Sequence, residues 1–82
     1  MKKILLDARE MEHPIPLQLS LSYLQSMGSG EFLYMIHRKN PIPLIEIAKE
    51  KKYSYLVKNH NDTWHILISK ESGIDLEDLV DV

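Results

Sequence analysis

A four-residue run occurs twice in this chain: Pro14-Ile15-Pro16-Leu17 returns as Pro41-Ile42-Pro43-Leu44, each time after an apolar run and a polar loop. Proline fixes φ at about −65° and has no N–H, which suits the first turn of a helix, where that donor would have no intrahelical partner. Each copy therefore predicts a helix start, and the pair predicts two strand–helix units. Asn40 stands where an N-cap belongs for the second helix, and His13, a poorer cap, holds the same place for the first.

The flanking pattern completes the order. Ile4-Leu5-Leu6 precedes the first copy and Phe32-Leu33-Tyr34-Met35-Ile36 the second, both reading as buried strands. In the first helix Leu17, Leu21 and Leu24 recur at i, i+4 and i+7, and Gly28 to Gly30 ends it. Leu44, Ile47 and Ala48 give the second helix its inner stripe, and Lys49 to Lys52 place positive charge at its C-terminal end, the favourable sign for the dipole. Tyr53 to Val57 and Trp64 to Ile68 flank Asn59-His60-Asn61-Asp62, which reads as a hairpin. The order is β-α-β-α-β-β, and right-handed crossovers would put both helices on one face of the sheet.

Residues 6 to 17, Leu-Asp-Ala-Arg-Glu-Met-Glu-His-Pro-Ile-Pro-Leu, resemble the signature of the TusA/SirA-like sulfur carriers, in which Leu-Asp-x-Arg leads into Cys-Pro-x-Pro. Gly30-Glu31 and the Trp64 to Lys70 strand also fit, so the resemblance covers residues 3 to 70. It departs at the reactive cysteine, whose place is taken by His13. With the second Asn-Pro-Ile-Pro-Leu copy, the chain is more similar to the TusA-related DUF2249 group, which also lacks that cysteine. The resemblance implies an α/β fold, an α+β two-layer sandwich with a mixed four-stranded sheet, and a site at the start of the first helix. It does not carry over the activity, because a helix N-terminus favours a thiolate or persulfide anion and disfavours a cationic imidazole.

Several function classes fall away on composition. The chain has no cysteine, so thiolate catalysis, cysteine-ligated zinc, iron–sulfur clusters and covalent sulfur transfer are excluded. At 82 residues one core is expected, spanning 1–70, with residues 71–82 as an acidic tail. All ten Lys and Arg precede residue 71, whereas the tail carries five acids and no base. A body that mildly basic, with a pI of 6.0, argues against nucleic-acid binding. The apolar run after Lys2-Lys3 stops at Asp7, short of the roughly 7 to 15 residues of an export segment, and nothing approaches a membrane span. A cytoplasmic protein with no membrane association is the expectation.

Parallel strand–helix units would bring Arg9, Glu12, His13, His37, Arg38, Lys39 and Asn40 to one edge of the sheet, where small anions could bind. The competing reading is that Arg9 only braces its turn through Asp7 or Glu12. The four histidines lack ligand spacing, so no metal and no cofactor are expected. No catalytic constellation is recognised, so the chain reads as non-enzymatic. Ile15, Leu19 and Tyr23 form a second apolar stripe on the first helix, rotated away from Leu17, Leu21 and Leu24, and suggest a partner surface. Two functions follow. One is a binding or adaptor module for a protein partner or a small anionic ligand, with homo-oligomerisation open. The other is a domain that senses a small ligand or cofactor around His13 and Arg9. The tail is expected to form at most a short helical turn near Asp75 to Val80, and deleting residues 72–82 is expected to cost little stability.

Overall fold

A computed structural model describes all residues, 1–82. The elements run β1 (Lys2–Asp7), α1 (Ile15–Ser26), β2 (Glu31–His37), α2 (Ile42–Glu50), β3 (Ser54–His60), β4 (Thr63–Ser69) and a 3-10 turn, Glu77–Leu79. This is the expected β-α-β-α-β-β order. The sheet is mixed and four-stranded in the order β1-β2-β4-β3, with β1 parallel to β2 and β4 antiparallel to both its neighbours. It follows that β1, β2 and β3 all point one way, with β4 inserted between β2 and β3. Asn61 and Asp62 close the β3–β4 hairpin at φ 52° and 62°, a left-handed pair that Asn and Asp tolerate better than most residues.

Side chains alternate across a strand, so a continuous apolar run needs cover on both faces. In β2, Leu33 and Met35 face the helices and join Leu6, Leu24, Leu44, Ala48, Ile66 and Ile68 in the larger core. Phe32 and Tyr34 face the other way, into a second cluster with Leu67 and Leu76. The cover on that second face is the C-terminal tail. Leu76 is only 3% exposed, and Ile74, Leu79 and Val80 pack around the same cluster.

The tail therefore belongs to the packed domain, which corrects the boundary expected at Lys70. Polar contacts fix it along its length. The Ser54 hydroxyl donates to the Glu71 carbonyl and accepts the Ile74 N–H, and Lys3 Nζ meets Asp81 Oδ2 at 2.7 Å. The tail has the alternation of an amphipathic edge without the length to fold alone, so its structure comes from docking.

Two further corrections concern the helices. The N-caps are Pro14 and Pro41, neither with a side-chain cap bond, and the Asn40 carbonyl accepts the Ile42 N–H at 2.9 Å. Asn40 thus serves through its backbone. On α1 the row facing the sheet is Pro16, Ser20 and Leu24, and the buried Ser20 hydroxyl donates to Met35 Sδ at 3.3 Å. A small polar residue in that row lets the helix settle low enough for both flanking rows to reach the core. Leu17, Leu19 and Tyr23 are partly buried against it, while Leu21 is exposed. The stripe Ile15, Leu19, Tyr23 is consequently no free surface, with only Ile15 standing exposed, at 45%.

The far end of the tail is tied to a buried histidine. The Tyr34 hydroxyl accepts the Asp81 N–H at 3.0 Å and is hydrogen-bonded to His65 Nδ1 at 2.8 Å. In the neutral ring with its proton on Nε2, Nδ1 accepts from the hydroxyl. Burial, and after it the charge of His60, hold His65 below the ordinary imidazole value of about 6.5. The unfolded chain takes up this proton more readily, so the contribution is complete above about pH 6.5 and is lost as pH falls through the lower folded value.

Two measurements follow. Leu76→Ala should destabilise the protein by about 2 kcal/mol or more in chemical denaturation, and deleting residues 72–82 should cost more still. A melting temperature that neither change lowers would place the tail outside the core. Melting temperature should also fall from pH 7.5 to pH 5, and His65→Gln should flatten part of that slope; an unchanged slope would clear His65 of the effect.

Candidate functional site

The parallel β1 and β2 end at the same edge, and the chain leaves each of them through a short loop into a helix. Loop one, residues 8–14, contains two tight turns: the Ala8 carbonyl accepts the Met11 N–H at 3.1 Å and the Glu12 carbonyl accepts the Ile15 N–H at 2.9 Å. Its root is fixed because Ala8 is fully buried and its N–H reaches the Ile36 carbonyl at 2.8 Å. The His13–Pro14 peptide bond is cis. Loop two is residues 38–41. Between the loops and the two helix starts lies a cleft of about 600 Å³.

All seven residues expected at this edge line the cleft: Arg9, Glu12, His13, His37, Arg38, Lys39 and Asn40. Their roles differ. Arg9 Nε and Nη2 donate to the two Asp7 oxygens at 2.9 and 2.7 Å, and the Arg9 N–H adds a third bond to Asp7 Oδ1 at 3.2 Å. These bonds hold the Asp7 carboxyl at about 2. Arg9 is therefore mainly a brace for the turn. Arg38 Nη2 reaches Glu10 Oε1 at 3.0 Å and links the two loops, although both side chains are exposed and such a pair is weak.

His37 Nδ1 accepts the Arg38 N–H at 3.0 Å, so its ring is neutral with the proton on Nε2. Burial first, then Lys39, lowers its basicity. This ring offers the cleft a donor and no lone pair for a metal. His13 makes no side-chain hydrogen bond. No group of three or more His, Asp or Glu side chains is placed to hold a metal ion.

The helix starts contribute backbone. Ile15 and Ile42 spend their N–H groups on Glu12 and Asn40, while Pro16 and Pro43 have none. Gln18 and Ile45 bond back to Pro14 and Pro41. The Leu17 and Leu44 amides remain outside the backbone hydrogen-bond network, and both residues line the cleft. The repeat in the sequence thus leaves one free first-turn donor per helix.

Glu10 and Met11 line the cleft without having been expected there. Their signal was position alone, since they lie in the same loop as Arg9 and Glu12. His60 and His65 lie elsewhere, on the hairpin and on the sheet face covered by the tail.

Fold and site together define a class: a two-layer α+β domain with an open, mixed-charge cleft at the ends of its parallel strands. The chain belongs to the family described as Uncharacterized conserved protein (DUF2249), whose model matches residues 5–70. No curated protein and no solved structure matches it. No helix is long and apolar enough to cross a membrane.

The brace is testable by carboxyl NMR. Asp7 should titrate near 2 in the native chain, and Arg9→Gln should raise it only part of the way toward the usual aspartate value of about 3.9, because the residue 9 N–H still donates to Oδ1. A normal midpoint in the unaltered protein would dissolve the pair.

Proposed function

We propose that this protein is a non-enzymatic binding module for a small anionic ligand, on a scaffold related to the TusA/SirA-like sulfur carriers. The observation that supports it is the meeting of both helix starts in one cleft, with the free Leu17 and Leu44 amides and Lys39 beside it. Backbone donors at helix N-termini favour negative charge, and a cleft this size suits a small molecule. In this reading His13 stands where the carriers have their cysteine. Anion capture by backbone is retained, and sulfur transfer is lost with the thiol. The protein is proposed to act in the cytoplasm.

A second reading, docking to a protein, is favoured by Ile15 and Ile42, the first residues of the two helices, which are 45% and 55% exposed. They adjoin cleft residues, so a partner carrying an acidic segment would meet both features.

Titration of the labelled full chain with acetate or inorganic phosphate should give saturable amide shifts centred on Leu17, Leu44 and His37. Lys39→Gln should weaken the binding about threefold to tenfold, the effect of one exposed charge contact. Shifts that stay linear and scattered over the surface would remove the anion site. Incubation with a persulfide donor should add no sulfur to the intact denatured mass, because no side chain here forms a persulfide.

A further inference from the structure

We infer that the cleft takes a metabolite-sized monoanion whose single negative group is attached to an apolar body. The inference rests on the anion-binding reading and deepens it. Three independent features lead to it.

The first is size. About 600 Å³ is far more room than one inorganic anion fills, and it lies within the roughly 300 to 1,000 Å³ of ordinary small-molecule pockets.

The second is charge. Arg9, Arg38 and Lys39 give +3, and Glu10, Glu12 and the Asp7 that holds Arg9 give −3, so the site balances to zero, with His37 held neutral. Arg9 is already committed to Asp7 and Arg38 to Glu10. Lys39 alone of the three cations has no partner carboxylate within the chain. Lys39 can pair with one negative charge, whereas a polyphosphate would meet the unpaired Glu12 carboxylate with no further cation free.

The third is the wall. Met11 and Leu17 are only partly buried, and with Pro41 and Pro43 they give the cleft apolar surface that a bare ion would leave in contact with water. Methionine adapts to ring edges and branched chains alike, so this wall suits an aryl or branched aliphatic group without fixing which. The free Leu17 amide adjoins the Leu17 side chain, so a donor for the head group and a surface for the body come from one residue.

The test uses the full chain, amide shifts for affinity, and four probes: acetate, phenylacetate, phenylacetamide and adenosine triphosphate. Phenylacetate should bind about tenfold or more tightly than acetate, as one desolvated aromatic contact provides, and by a similar factor over phenylacetamide, which keeps the body and loses the charge. Met11→Ser should erase most of the advantage of phenylacetate over acetate. Equal affinity for acetate and phenylacetate overturns the apolar body and leaves the anion site standing. Tighter binding of adenosine triphosphate overturns the single charge and also leaves the anion site standing. Equal affinity for phenylacetate and phenylacetamide, or no saturable shift with any probe, removes the anion reading together with this one.

Discussion

Burial of β2 on both faces is the constraint that organises this small domain. Residues 32 to 35 are all buried, and they divide by alternation, Leu33 and Met35 to the helices and Phe32 and Tyr34 to the tail. Two helices on a four-stranded sheet can cover only one face. In a chain of 82 residues, where burial leaves little margin, an open second face holding a Phe and a Tyr would be costly. The acidic tail supplies that cover through its four apolar residues, while its carboxylates stay outside. Its sequence looks like a solvated end because acids and apolar residues are interleaved there. The same interleaving is what a one-sided strap needs.

The cleft is a second consequence of the same strand. Because β1 runs parallel to β2, both chains leave the sheet at one edge and both must turn at once into helices. The proline pair makes those turns abrupt and removes donors that would otherwise need partners. What remains is one amide per helix without a backbone partner, on Leu17 and Leu44, residues that line a space bounded by two loops. The Asp7–Arg9 brace then holds the first loop, so the arginine most suggestive of a ligand contact is engaged in structure. Both bracing and a ligand contact were open to Arg9, and its hydrogen bonds to Asp7 favour bracing. Lys39 is the cation without a carboxylate partner.

Legibility followed the strength of the local signal. The repeated Pro-Ile-Pro-Leu is rigid, carries its conformational preference in the residues themselves, and led to the element order and to the gathering of His13, His37, Arg38 and Asn40 at one edge. The faces of α1 were harder. Its innermost row runs through Ser20, and a rule that looks for apolar residues passes over a serine whose hydroxyl finds a methionine sulfur. Leu19 and Tyr23 were consequently assigned to the outside. The Asn40 cap was misplaced for a related reason. Side-chain capping is the common solution, but a helix opening on Pro-Ile-Pro can hand the role to a backbone carbonyl. The tail was the least readable part, because its order depends largely on Phe32 and Tyr34, which lie far back in the chain in β2.

Alternation in β2 also sorts the charges of the molecule. Met35 faces the cleft side, where Lys39 is the cation without a carboxylate partner, and Tyr34 faces the side where the tail spreads its five acids. The sheet stands between them, and interactions of exposed charges fade over a screening length of about 8 to 10 Å at physiological salt. Asp81, which lies nearest the sheet, is neutralised on the spot by Lys3, whose Nζ also stands 4.8 Å from the Tyr34 ring centre. A chain with a net charge of −2 can therefore still present an unpaired cation at this edge. The acidic tail and the cleft use opposite faces of one strand, so shortening the tail would change the net charge far more than the field inside the cleft.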